Sequence, residues 1–452
     1  MIWIFAAALF LVQPWQQIVS HQSPPPGAVS RETGKQIARH SSFPVVKDWN
    51  TVKITLHRTM GAFGHDPEYT VEVHGDGSIL FDGQYRVIFA GTHQAMVPRK
   101  DVVDLVRLFE AADYYSLFDK YAAPASEGPA ITTSIEIDGR RKQVVDEDGR
   151  ELGPLEKAID RLAGTERWIQ GNSESLAALQ AEHWDLKSSA AAAALARLAQ
   201  TGNTVLFRQL LSAGVPVNGH ALYASSRDNG CCTPLEFAAA RGDLVMMQAL
   251  LDAGAARDSK TLGEAFVNAA LSGKLEALHL MLRNGARPDG HNRGGQNALM
   301  AAASSGSPAM VREILKFHPD VNAVTQIPPC KAVTPADESD CPYPPTDGST
   351  ALMHAVARSP ETSPGEGIDR VEVIRLLLAA GADVNARDIE GNTALIICGY
   401  NAGQALLLLQ AGADPNARNH DGHSALYYAQ ADVKRLLLEH GAVQEPQEAA
   451  GK

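Results

Sequence analysis

One phrase recurs through the second half of the chain and limits what it can fold into: a Leu-rich turn, a glycine, then a small residue and a closing Asn or Asp. It reads Leu250-Leu251-Asp252-Ala253-Gly254-Ala255, Leu282-Arg283-Asn284-Gly285-Ala286, Leu377-Leu378-Ala379-Ala380-Gly381-Ala382-Asp383-Val384-Asn385 and Leu409-Gln410-Ala411-Gly412-Ala413-Asp414-Pro415-Asn416. Divergent copies run from Leu211 to Asn218 and from Leu315 to Asn322, and a last one from Leu437 to Val443. With the closing residue as a ruler, at 218, 258, 289, 322, 385 and 416, the gaps are 40, 31, 33, 63 and 31 residues. The unit is therefore about 33 residues. The gap of 63 is one unit plus about 30 inserted residues, and the gap of 40 is one unit plus a short insertion around His220 to Asn229. No single unit can bury its own apolar face, so the core is created by stacking.

A second phrase opens each unit: Thr233-Pro234-Leu235, Asn297-Ala298-Leu299, Thr350-Ala351-Leu352, Thr393-Ala394-Leu395 and Ser424-Ala425-Leu426. A Thr or Ser there accepts from the free amides of the first helical turn, and Pro fits the next position because its missing donor costs nothing. Small pairs such as Ala238-Ala239 and Ala302-Ala303 let neighbouring helices approach. Gly254, Gly285, Gly381 and Gly412 end the second helix in a left-handed turn. With these residues the sequence resembles the ankyrin repeat family, most closely over Asp347 to Asn385 and Glu390 to Asn416. The resemblance implies an all-α solenoid of helix pairs with hairpin connections over residues 189–445, about seven repeats with an insertion near 326–347. It also implies a recognition surface of hairpin tips and inner helices that takes a protein partner. The family's His after Leu is replaced by Glu236, Met300, Met353, Ile396 and Tyr427, so adhesion between repeats is expected to rest more on packing.

Residues 46–172 have another rhythm. Period-two runs at Val52–Thr59, Tyr69–His74, Ser78–Phe81, Arg86–Ala90, Ile131–Ile137 and Lys142–Val145 predict strands. Gly75-Asp76-Gly77 and Asp138-Gly139 mark hairpins. Asp101–Ala112, capped by Asp101, and Pro154–Ala163 read as helices, which makes a small α+β domain in front of the solenoid. The stretch is similar to an uncharacterised bacterial α+β family that recurs ahead of ankyrin arrays. The matching residues are Arg58, the Phe63-Gly64-x-x-Pro67-x-Tyr69 loop, Asp76-Gly77, and Asp119-Lys120-Tyr121 before Thr132-Thr133-Ser134. That family's usual Cys pair is absent, with Ala62 and Asp66 in its place, and the resemblance implies no activity.

Met1 to Val12 is apolar, too short to span a bilayer, and has the length of a signal-peptide core. Residues 1–20 are expected to be a signal peptide, and residues 21–45, with Ser23-Pro24-Pro25-Pro26-Gly27, a flexible tether. A periplasmic or secreted location follows, with membrane anchoring as the alternative if the segment is not cleaved. The 40 basic and 52 acidic residues give a formal charge of -12, which repels phosphate backbones and disfavours a nucleic-acid partner.

Motifs of chemistry are scarce. A P-loop fails at Asn268 and Leu275, and Asp414 to Gly422 does not keep the register of a calcium loop. His420 and His423 lack a third metal ligand nearby. In the first domain His65, Asp66, Glu68 and Tyr69 could serve as acid and base, or simply form a polar loop with a buried Tyr. No cofactor, metal or catalytic residue is expected. Cys398 falls at a packing position. Cys330 and Cys341 flank an insertion and are expected to be bridged in an exported protein, while Cys231 and Cys232 stay open between free thiols and a vicinal disulfide. The expected contact residues are the tips His291, Asn292, Arg293, Arg387, Ile389, Glu390, Arg418, His420 and Asp421, with Tyr343 on the insertion as an aromatic anchor. The competing reading is an envelope enzyme or small-ligand receptor with its site in residues 46–172.

Overall fold

The computed structural model describes residues 41–61, 66–121, 128–147, 152–220, 232–257, 259–292, 294–326, 348–356, 369–399 and 401–444. The chain divides into two compact units, one of residues up to 194 with 205–215, the other of residues 195–204 with 216 onward.

In the first unit β1 (Lys53–Arg58), β2 (Glu68–His74), β3 (Ser78–Tyr85), β4 (Gly91–Met96), β5 (Lys120–Tyr121), β6 (Ala130–Ile137) and β7 (Arg140–Glu147) form one sheet. Its order is β4-β3-β2-β1-β6-β7-β5, antiparallel except for β5 beside β7. Alternation sends Ile54, Leu56, Val71, Val73, Phe81 and Ile135 to a buried face, while Lys53, Thr55, His57, Thr70 and Glu72 stay half-buried on the other. Helix α1 (Arg99–Ala111) buries Val102, Leu105, Val106 and Phe109, and α2 (Gly153–Ala163) buries Leu155 and Ile159 and packs on β2. Asp101 lies inside the first turn of α1 instead of capping it; Pro98 holds the cap position. Asp138 and Gly139, at φ 48° and 78°, make the tight β6–β7 hairpin expected of Asp-Gly.

The apolar pattern predicts a strand over Arg86–Ala90 that the structure does not form. Arg86 has φ 51°, which breaks the run, and Val87, Ile88 and Phe89 turn into the core instead of continuing the sheet. The strand that follows, β4, is Gly-Thr-His-Gln-Ala-Met and carries no apolar alternation to announce it. The core also runs past residue 172. Ile88 and Phe89 donate their amides to the carbonyls of Ile169 and Trp168 at 2.9 and 3.0 Å, next to the short helix α3 (Glu166–Ile169). After α4 (Ser175–Ala181), Glu182 and Trp184 close over β4, with Trp184 edge-on to Phe89 at 5.7 Å.

The remaining helices are α5 (Ser189–Thr201), α6 (Thr204–Ser212), α7 (Pro234–Arg241), α8 (Leu244–Asp252), α9 (Ser259–Leu271), α10 (Leu275–Arg283), α11 (Ala298–Ser305), α12 (Pro308–Leu315), α13 (Ala351–Val356), α14 (Arg370–Ala379), α15 (Ala394–Ile397), α16 (Ala402–Gln410), α17 (Ala425–Tyr428) and α18 (Ala431–Glu439). From α7 onward the first helices of successive pairs pack on one another, α7 on α9, α9 on α11 and α11 on α13. Thr233 and Glu236 complete a capping box on α7, and Asn297 and Thr393 accept from the amides of Met300 and Ile396, whereas Ser424 holds the cap position of α17 without a side-chain cap bond.

The closing Asn of the repeat phrase does more than mark the period. Asn322 donates Nδ2 to the Gly381 carbonyl at 3.2 Å and accepts the Asp383 amide at 2.8 Å. Asn385 does the same to Gly412 and Asp414, at 3.1 and 2.9 Å, and Asn416 to Gly441 and Val443, at 3.0 and 2.8 Å. In each copy the Asp two residues earlier (Asp320, Asp383, Asp414) accepts the amide of the Asn and fixes it. The expectation that adhesion rests on packing is therefore corrected at these three junctions, where a side-chain amide ladder joins repeats in place of the missing His. Asn322 reaches Gly381 directly, so the 63-residue gap is a single step of the stack. Its extra residues fall on both sides of α13, at 327–347 and 357–368, outside the described residues. At the end of the array Lys434 takes the place of Ile374 and Ala405, both 0 % exposed, and gives the last pair a polar outer face.

Candidate protein-binding surface

The expected contact residues occupy equivalent places on three hairpin tips. His291, Arg387 and Arg418 stand four residues before the tip glycine (Gly295, Gly391, Gly422), Asn292 and Asp388 three before it, and Ile389 and His420 two before it. Local chemistry explains the shape. Asn292 Oδ1 accepts the Gln296 amide at 3.0 Å, and Asp388 Oδ1 accepts the amides of Glu390 and Asn392 at 2.9 and 2.7 Å. Asn419 Oδ1 accepts from His423 at 3.0 Å in the same way. A short Asx side chain thus closes each tip.

The two arginines are largely occupied with their own backbone. Arg387 donates Nη1 to the carbonyls of Gly391 and Arg418 at 3.3 and 2.6 Å, and Arg418 donates Nη1 to Gly422 at 2.5 Å. Ile389 and His420 each lie over the glycine of the preceding tip: a Cβ at Gly348 would stand 3.2 Å from Ile389 Cγ2, and one at Gly391 would stand 2.9 Å from His420 Cδ2. The His420 amide donates to the Glu390 carbonyl at 2.8 Å, which links the two tips. Ile389 nevertheless keeps 50 % of its surface exposed, and Glu390, His420 and Asp421 are exposed. The structure brings Arg387, Ile389, Glu390, Arg418, His420 and Asp421 into one row, whereas His291 and Asn292 belong to a tip two repeats earlier. Arg293, Tyr343, Cys330, Cys341 and Cys231 lie outside the described residues. A feature the sequence did not suggest is the exposed Tyr427, 55 % accessible and stacked on His423 at 3.7 Å.

In the first unit Asp66 and Glu68 are half-buried, and His65 lies outside the described residues. Tyr69 is a core residue, 2 % exposed, whose hydroxyl donates to Asp160 Oδ1 at 2.9 Å. Asp160 also accepts from Arg58 at 3.0 Å, and Arg58 lies 3.4 Å from Glu156 Oε2. Glu156 is 2 % exposed, and its Oε1 has no hydrogen-bond partner among the described residues. Burial pushes its carboxyl up to about 7, opposed by Arg58 and reinforced by Asp146 and Asp160. These acids come from α2 and β7, far in sequence from the Asp66 loop, and only the ion-pairing need of Arg58 could have pointed to them. Cys398 is buried, and burial raises its thiol to about 12, so it is a packing residue. Among the described residues no group of three or more His, Cys, Asp or Glu is placed to hold a metal, and no helix is long and apolar enough to cross a membrane.

Comparison with known proteins agrees with both resemblances read from the sequence. Residues 52–163 match a family described as a domain of unknown function (DUF6438). Residues 266–388 match ankyrin repeats (3 copies), and residues 390–420 match a further ankyrin repeat. Among solved structures, the human ASB11 ankyrin repeat domain is 21 % identical, covers 56 % of this chain and 99 % of its own, and superposes with a TM-score of 0.39. No curated protein matches the chain.

Proposed function

Taking the chain as ankyrin repeats behind a domain of unknown function, we propose that it is an interaction scaffold gripping a protein partner along its last hairpin tips and inner helices. The observation that carries this reading is the row formed by Ile389, Glu390, His420 and Asp421. Their side chains are presented to solvent on turns whose backbones are already satisfied by Asp388, Asn419, Arg387 and Arg418. Such a row is pre-organised, so a partner need not order it on binding. Arg387 and Arg418 serve mainly to build the surface, and contact energy is assigned to the other four. Partner capture by crosslinking to the full-length chain should be lost with Ile389, Glu390, His420 and Asp421 all changed to Ala. Capture unaffected by those substitutions removes the reading.

Export to the periplasm or beyond belongs to the same proposal, on the apolar run Met1 to Val12, as does a Cys330–Cys341 bridge in that setting. A second reading, an envelope enzyme or small-ligand receptor, draws on Glu156, a buried acid with an unpartnered oxygen beside Arg58. Saturable binding of a small molecule that is abolished by Glu156→Gln with the fold intact would favour it.

A further inference from the structure

The sheet of the first unit has two edges, and they are protected differently. At one end β5 is two residues long, too short to template another strand. At the other, β4 offers six residues, Gly91 to Met96, with no Lys, Asp, Glu or Pro to discourage pairing. Its Gln94 amide points away from β3, so by the alternation of an antiparallel ladder Thr92 and Met96 also turn their backbone groups outward. An open cleft of about 730 Å³ lies over the outer face of the sheet at this end, reaching from His74 of β2 across Leu80, Thr92 and Gln94 to Glu182 and Trp184, and Met96 at the edge is 70 % exposed.

One side chain stands in the way. Glu182 Oε2 accepts the Gln94 amide at 2.9 Å, taking the central outward donor of the strand. Its other oxygen receives His93 Nδ1 at 2.7 Å. His93 is 1 % exposed and stacked on Trp168 at 4.5 Å, so the carboxylate is aimed from the buried side by a ring with little room to turn. From the other side it is aimed by His183, whose φ of 56° is a left-handed conformation that a non-glycine residue adopts at a cost. That turn sends Glu182 and Trp184 back onto β4.

We propose that Glu182 is an edge lock: it holds β4 closed against strand addition, and the occupant it excludes is β4 of a second copy of this chain. Antiparallel pairing of β4 with itself about Gln94 is self-complementary, setting Thr92 of each copy against Met96 of the other, as a two-fold interface requires. With no Lys, Arg, Asp or Glu the strand carries no such side chain to repel a copy of itself, so opening depends on whether the Glu182 carboxylate stays on the Gln94 amide. The lock lies in the segment that follows the matched domain of residues 52–163.

The test is the mass of the full-length chain in solution, by light scattering and sedimentation, for wild type, Glu182→Ala, Glu182→Asp and Glu182→Gln. Wild type is expected to stay monomeric, as is Glu182→Gln, which keeps an oxygen acceptor for Gln94. Glu182→Ala and Glu182→Asp, which remove or withdraw that acceptor, should move to twice the monomer mass with rising concentration. Adding Thr92→Pro, which blocks the outward edge while sparing the β3 pairing, should return both to monomer. Aspartate keeps the charge and part of the stem, so it answers the question if the alanine variant does not fold. Folded Ala and Asp variants that remain monomeric overturn the proposal, and so does a dimer that Thr92→Pro leaves intact.

Discussion

Asn385 and Arg58 hold their surroundings together in different ways. Asn385 makes two hydrogen bonds to the next repeat, at an exposed position, and Asn322 and Asn416 repeat the arrangement before and after it. Arg58 sits in the α+β unit between Asp160 and the buried Glu156. The array spreads its polar cohesion over equal, small, nearest-neighbour contacts. The α+β unit concentrates it in a few contacts that each answer one local need. Losing one contact should therefore be mild and local in the array and severe in the α+β unit.

The sharpest way to break this comparison is Arg58→Ala. It strands two acids, one almost fully buried, and removing one partner of such a pair typically costs about 3–5 kcal/mol. The α+β unit should lose its unfolding transition at a lower temperature while hydrogen exchange in α14 and α16 stays as it was. Next in size is the pH response of Glu156. Its carboxyl is raised to about 7 in the fold, above its unfolded value, so the native state holds the proton more tightly. The stabilisation is complete below the unfolded value and is lost as pH rises through about 7, on the order of 3 kcal/mol in all. Glu156→Gln should flatten that dependence in melts taken between pH 4 and pH 8; an unchanged slope would assign it to other groups. Then comes Asn385→Ala, which deletes two exposed hydrogen bonds at a net cost of about 1 kcal/mol. Asn416→Ala should cost no more, and exchange protection should fall only at the junction affected. Smallest is Arg387→Ala, at about 0.5 kcal/mol because ordering its long, exposed side chain offsets much of what its two bonds contribute, seen as faster exchange of the tip amides at Glu390 and Asn392. If Asn385→Ala proved as damaging as Arg58→Ala, the distinction would fail.

The same contrast decides what could be read beforehand. The repeats were legible because one solution recurs at fixed spacing, and at Asn322, Asn385 and Asn416 the residue that marks the period also carries the junction bonds. The strands of the α+β unit were legible where apolar residues alternate, as in β1 and β2. β4 was not, because its buried side chain is His93, while the strand-like apolar run is Val87-Ile88-Phe89, which packs in the core. The tips were placed correctly as connections. That Arg387 is bonded to the Arg418 carbonyl was hidden, since the bond joins residues 31 apart whose charges suggested a contact for a partner. The pairing of His93 with Glu182 spans 89 residues and leaves no periodic trace at all.

The amide ladder also bears on how such an array changes length. The copies closing at Asn322, Asn385 and Asn416 each bring their own Asp-x-Asn clip, and the glycine carbonyl and amide that receive it belong to the following copy. A duplicated unit would arrive with one half of a junction at each end, already matched to its neighbours, and a deleted unit would leave two halves that still fit. Growth and shrinkage by whole units are thus nearly silent for the fold. The earlier copies ending at Asn218 and Asp289 lack the Asp two residues before the close, and a unit inserted between them would have no such ready-made join.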